Sequence, residues 1–105
     1  MIARMWHGAV PESKAEDYLE YLKKTGLPDY LSTPGNRGVY VFRRIENATA
    51  HFLLTSFWDS LESITAFAGE DIEKARYYPE DTDYLLEFEP RVTHYEVLVG
   101  GGNQG

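Results

Sequence analysis

Polar and apolar positions alternate from Met1 to Val10, with Ile2, Arg4 and Trp6 on one side and Ala3, Met5 and His7 on the other. This predicts a strand that Pro11 ends. Ala15, Tyr18, Leu19 and Leu22 then recur at helical spacing with Glu12, Lys14, Glu16 and Lys23 outside, and Gly26 and Pro28 stop that helix. Residues 27–37, with two prolines, a Gly-Asn pair and little periodicity, read as a connecting loop. Period two resumes over 38–45 and 50–58, joined by a Glu46-Asn47-Ala48 junction short enough for a hairpin. Trp58 closes the second run, and Asp59 or Ser60 can cap a helix whose first turn carries Glu62, where the dipole favours negative charge. Gly69 interrupts that helix, and a second helical piece is expected over 71–78, stopped by Pro79. Leu85, Leu86 and Phe88 read as one apolar anchor on a loop, and a last strand is expected over 91–99. The Gly-rich residues 100–105 are set apart as a flexible tail, leaving one domain over 1–99.

The order β-α-β-β-α-β is the split βαβ arrangement of a ferredoxin-like α+β domain, a four-stranded antiparallel sheet with the first strand between the third and the fourth. Two helices cover only one face of such a sheet. Both faces nevertheless carry large apolar groups: Val39 and Val41 against Tyr40 and Phe42, and Leu53 and Phe57 against Phe52, Leu54 and Trp58. Leaving several of these wet forgoes roughly 1.5 to 3 kcal/mol each, so a homodimer through the open sheet face is expected.

Composition narrows the class. With 105 residues, 43% of them apolar and 14% aromatic, the chain can build a core, and the absence of cysteine removes disulfides, thiolate nucleophiles and thiolate metal sites. A formal charge of −7 repels a phosphate backbone, so nucleic acid is not an expected partner. No window approaches a membrane span and the N-terminus opens directly into strand-like alternation, which predicts a cytoplasmic protein with no membrane partner.

Antiparallel pairing brings His7, His51 and His94 towards one end of the sheet. Three imidazoles could hold a metal or relay a proton. Three strands with no H-x-H spacing more often carry separately hydrogen-bonded histidines, and no metal is expected. His7, ending a central strand beside a loop, is the candidate base. Arg4, Arg43 and Arg44 lie within strands, where each could grip a carboxylate or enolate, although a cross-strand acid such as Glu96 is the commoner partner. Tyr77 and Tyr78, beside Arg76, could donate hydrogen bonds to a phenolic or quinonoid ligand, while Trp6, Trp58 and Phe67 are first of all core residues. Neither a phosphate cradle nor a nucleophile elbow is present.

The pattern W-x-S-x-E-x-x-x-x-F from Trp58 to Phe67, the order of elements and the closing His94-Tyr95-Glu96-Val97 resemble the antibiotic biosynthesis monooxygenase (ABM) family of dimeric α+β barrels, over residues 1–99. One branch of that family oxidises polyketide-derived phenols with oxygen and no bound cofactor, through an asparagine and a tyrosine around the hinge tryptophan. Trp58 matches, but Leu54 and Ile64 stand at those two positions, and Tyr77 stands nearest a further arginine. A haem-degrading branch uses an asparagine, a tryptophan and a histidine ligand where His7, Phe67 and Tyr77 stand, so haem degradation is not expected. The resemblance implies a cofactor-independent monooxygenase of a small aromatic or polyketide-like substrate, with His7 as base and Tyr77 as donor, and with Trp6, Trp58, Phe67, Tyr78 and His94 around the ligand. No cofactor is called for. The alternative is a dimeric accessory protein that sequesters a small apolar or aromatic molecule and catalyses nothing.

Overall fold

The computed structural model describes residues 1–102. Four strands, β1 (Ile2–Pro11), β2 (Asn36–Glu46), β3 (Thr49–Trp58) and β4 (Thr93–Glu96), form one antiparallel sheet in the order β2-β3-β1-β4. The first strand does lie between the third and the fourth. Three helices, α1 (Ala15–Lys24), α2 (Gly26–Ser32) and α3 (Leu61–Ala68), complete the α+β domain. Together α1 and α2 fill the first helical position of the β-α-β-β-α-β order, and α3 fills the second.

Helix α2 falls where a loop is predicted. Thr25 ends α1 by donating its hydroxyl to the Tyr21 carbonyl at 2.7 Å, and Pro28 then stands in the first turn of a new helix, where a missing N–H costs little. A second departure is the segment 71–78, which is irregular instead of helical. Its backbone is engaged sideways, Ala75 N–H donating to the Pro90 carbonyl at 2.9 Å and Val92 N–H to the Glu73 carbonyl at 2.8 Å. This pairing also shortens β4, because Arg91 bridges Lys74 ahead of the strand proper. Beyond the strand Leu98 and Val99 are exposed. Of the expected anchor only Leu85 is buried; Leu86 and Phe88 lie largely in solvent. Within the tail expected over 100–105, Gly100 to Gly102 are exposed and without regular structure, and the rest lies outside the described residues.

Hinge and hairpin follow their side chains. Ser60 caps α3, accepting from Ser63 N–H at 3.3 Å while the Ser63 hydroxyl accepts from Ser60 N–H at 3.3 Å, and Asp59 pairs instead with Arg37. Asn47 and Ala48 both take positive φ, 52° and 62°, as a two-residue turn between right-twisted strands requires.

Register puts Arg4, Trp6, Phe52, Leu54, Ser56, Trp58, Val41 and His94 under the helices, where the core of Val10, Tyr18, Leu22, Tyr30, Ile64 and Phe67 packs. The opposite face carries Met5, His7, His51, Leu53, Phe57, Tyr40, Phe42 and Tyr95, with no described element across it. Tyr40, Phe42 and Tyr95 are 62%, 52% and 57% exposed there.

Gly8 shows how tightly the helix side is closed. A Cβ at this position would lie 2.8 Å from Trp6 Cζ3 and 2.9 Å from Leu85 Cδ2, so the indole's six-membered ring occupies the space a side chain would take. Gly8→Ala is expected to cost about 1–3 kcal/mol in urea unfolding, as overpacking does. An unchanged midpoint would show that Trp6 is not held in this position.

Candidate functional site

Between sheet and helices lies a cavity walled by Trp6, Leu54, Tyr30 and Phe67, with Tyr18, Arg76, Tyr78 and Asp81 at its polar end. Its volume is about 20 Å³, room for about one water. Tyr30 stacks on Phe67 with centroids 4.3 Å apart, and Trp58 backs Phe67 at 5.6 Å. These walls form because α2 and α3 each turn one aromatic residue onto the same patch of sheet.

Charged groups cluster here despite the burial. Asp81 is 2% exposed; it accepts from the Tyr18 hydroxyl at 3.0 Å and from Tyr78 N–H at 2.6 Å. Burial pushes its carboxyl above the ordinary carboxylate range, the two hydrogen bonds opposing, and burial together with Asp81 pushes the Tyr18 phenol up as well. Arg76 donates to the Phe67 carbonyl at 3.0 Å and to Asp29 of α2 at 3.1 Å, while Tyr78 donates to the same carboxylate at 2.6 Å. This latch ties the segment 71–78 to α2 across the cavity.

The residues singled out from sequence divide between the two faces. Trp6, Phe67 and Tyr78 line the cavity; Trp58 is wholly buried behind it, its indole N–H donating to Ser56 Oγ at 2.9 Å. Tyr77 lies at the margin, its ring 6.1 Å from Trp6 and its hydroxyl donating to the Glu89 carbonyl; burial and the charge of Glu89 push its phenol up to about 12. His94 faces the helix side beside Arg4, its cross-strand partner. His7 does not join them. It lies on the open face, where Nδ1 meets Glu89 and Nε2 meets His51 Nδ1 at 3.0 Å. The trio is therefore split, His7 and His51 in contact on one face and His94 on the other. Among the described residues no three metal-ligating side chains converge.

The expected cross-strand acid stands opposite none of the three strand arginines. Arg43 pairs with Glu16 of α1 at 2.7 Å and Arg44 with Glu46 of its own strand, so neither acid lies across a strand pair, and Arg4 has no carboxylate partner among the described residues. Sequence reasoning passed over Asp81, Tyr18 and Tyr30. Asp81 left a signal, standing three residues beyond Tyr78 in Tyr-Pro-Glu-Asp, the spacing at which an acid reaches back to cap a turn opened by proline. Tyr30 left none, because it belongs to the helix read as a loop.

No family profile matches the chain, and no curated protein matches its sequence. Its fold does have solved counterparts. A candidate antibiotic biosynthesis monooxygenase from Nitrosomonas europaea superposes with a TM-score of 0.66 at 16% identity, over 94% of this chain and 100% of its own. Another from Bacillus cereus gives 0.66 at 14% identity, over 98% of each chain. The chain has the fold of the ABM structures. The heme-degrader MhuD from Mycobacterium tuberculosis, solved with two hemes bound in its active site, shares it too, with a TM-score of 0.64 at 17% identity over 97% of this chain and 100% of its own. At these identities the ABM likeness concerns architecture alone. No helix among the described residues is long and apolar enough to cross a membrane.

His94 gives the site a pH signature. Burial, then the neighbouring Arg4, holds its imidazole below the ordinary 6.5, with Glu73 opposing. Below that value the unfolded chain takes up a proton that the folded chain resists, so stability is lost as the pH falls through and below about 6.5. Urea unfolding at about pH 7.5 and 5.5 should show a larger loss for the unmodified chain than for His94→Gln. Equal losses would place His94 in water.

Proposed function

We propose that the helix-side cavity binds a small flat aromatic molecule and that the protein is a cofactor-independent monooxygenase of phenolic or polyketide-like substrates. The supporting observation is a buried carboxylate, Asp81, set with Tyr18 and Tyr78 at the end of an aromatic cavity. A protein that only sequesters apolar molecules needs no such group.

Asp81 takes the base's role that the sequence suggested for His7, because His7 is on the other side of the sheet. A carboxylate whose pKa is raised by burial is a stronger base than an exposed one, and its oxygens face a water-poor space. The step fitting this arrangement is removal of a proton from a ring CH₂ activated by a neighbouring carbonyl. The carbanion gives its electrons to molecular oxygen; one oxygen atom becomes the new ring carbonyl and the other leaves as water with the two hydrogens lost from carbon. Both electron pairs come from the substrate, so the balance closes with oxygen as the sole oxidant.

Entry requires the cavity wall to move, since the closed form admits water alone. The latch from Arg76 and Tyr78 to Asp29 is the weak point. The Arg76 and Asp29 side chains are 40% and 41% exposed, and ion pairs so placed hold about 1 kcal/mol or less. MhuD, with two hemes in its active site, supports the view that this architecture opens for flat ligands. The open sheet face we assign to a second copy of the chain, whose matching aromatic patch would cover Tyr40, Phe42, Leu53 and Tyr95.

Oxygen uptake with a panel of anthrones, dihydroxynaphthalenes and quinols tests the reading. Uptake is expected with at least one of them, reduced about 10²–10⁴-fold in Asp81→Asn and left within about threefold by His7→Ala. A panel whose members raise the melting temperature without oxygen uptake would make this a binding protein. Uptake lost in His7→Ala and kept in Asp81→Asn would move the chemistry to the open face.

A further inference from the structure

Arg4 is 1% exposed, and its guanidinium makes a single hydrogen bond, from Nη2 to the Lys74 carbonyl at 3.2 Å. Its Nε and Nη1 have no partner, and neither do the buried Trp6 Nε1 and His94 Nε2. All three side chains point to the helix side from neighbouring positions, Arg4 and His94 across a strand pair and Arg4 and Trp6 two residues apart. Unpaired buried polar atoms are rare, and a lone buried cation is strongly unfavourable, so a group of them calls for an acceptor.

Among the described residues no carboxylate supplies one. The guanidinium lies over Phe67, 5.4 Å from the ring centroid, and against the Tyr30 hydroxyl, whose phenol burial holds in its neutral form. The Arg76 guanidinium lies 4.9 Å from the same centroid, so two cations approach one ring in a chain of net charge −7. Phe67, Tyr30 and Trp6 are themselves cavity walls, and Arg4 therefore stands one side chain behind the cavity. A planar fork of N–H donors with two free nitrogens matches an anion bearing paired or bridging oxygens.

We propose that Arg4 is the anion-recognising group of the helix-side cavity, and that the ligand is an aromatic molecule carrying a carboxylate or an ionised ring hydroxyl, with Trp6 Nε1 donating alongside. The inference rests on the cavity being the ligand site and adds the class of ligand. Held there, an enolate or phenolate formed from the substrate would have its charge matched by Arg4, so the same group would favour both binding and loss of the proton. The buried cation that destabilises the unliganded fold would thus gain its partner on binding.

The test compares 1-hydroxy-2-naphthoate with its methyl ester, by calorimetric titration and by melting temperature. The unmodified protein is expected to bind the acid at least about tenfold more tightly than the ester, as charge-assisted bonds imply, and Arg4→Gln should erase that difference while ester binding persists. Arg4→Met without ligand should melt at or above the unmodified chain, the reverse of what a structural arginine would show. Equal affinity for acid and ester in the unmodified protein, or a preference that survives Arg4→Gln, would overturn the role of Arg4 and leave the cavity standing. Failure of both compounds to bind would overturn the cavity reading and the role of Arg4 with it.

Discussion

A β layer with large apolar side chains on both faces can be covered on only one of them by its own helices, and this asymmetry organises the molecule. Strand periodicity makes it unavoidable, because successive residues of β2 and β3 point to opposite sides and large apolar ones, such as Val39 to Phe42 and Phe52 to Leu54, stand next to one another. On the helix side Trp58, Phe52 and Leu54 are buried to 3% exposure or less. The open side leaves Tyr40, Phe42 and Tyr95 more than half exposed and Leu53 37% exposed. Covering such a patch returns roughly 25 cal/mol per Å² of apolar surface, a large sum beside the stability of so small a domain.

The two faces also divide the chemistry. Beneath the helices an aromatic cavity is lined by the Asp81 carboxylate and the Arg76 guanidinium, with the Arg4 guanidinium behind its wall; among the described residues Asp81 has hydrogen-bond donors but no ion pair, while Arg4 has neither carboxylate nor full hydrogen bonding. Charges kept in such a place cost stability, and they accumulate where a ligand or a reaction makes use of them. On the open face, His7 between Glu89 and His51 is about one-third exposed and satisfied by its neighbours. The contrast between a satisfied cluster and an unsatisfied one favours the helix side as the place where a ligand completes the structure.

Much of this was legible in the sequence because period two and the hinge at Trp58 are strong signals. All four strands, the hairpin at Asn47-Ala48, a cap at Asp59 or Ser60, which the structure gives to Ser60, and the position of β1 inside the sheet follow from them. Helix α2 was not legible, since seven residues containing a proline carry too little periodicity, and its stability comes from Tyr30 packing on Phe67, a contact made only in three dimensions. The segment 71–78 misled in the opposite way: Ile72 and Ala75 stand at helical spacing, but sideways pairing with Pro90 and Val92 decides their conformation. Which face each histidine and arginine takes depends on strand parity. Parity places His7 opposite Trp6 along a single strand, and that alone separates the base expected from sequence from the aromatic residues expected around it.

Covering the open face is what the remaining picture leans on, and sedimentation equilibrium of the chain at micromolar concentration reads it without any ligand. A particle of about twice the 12.0 kDa chain mass is expected, dissociating only on dilution or when Phe42 is replaced by a charged residue. A homogeneous 12.0 kDa particle would contradict it, leaving an aromatic sheet face stable in water.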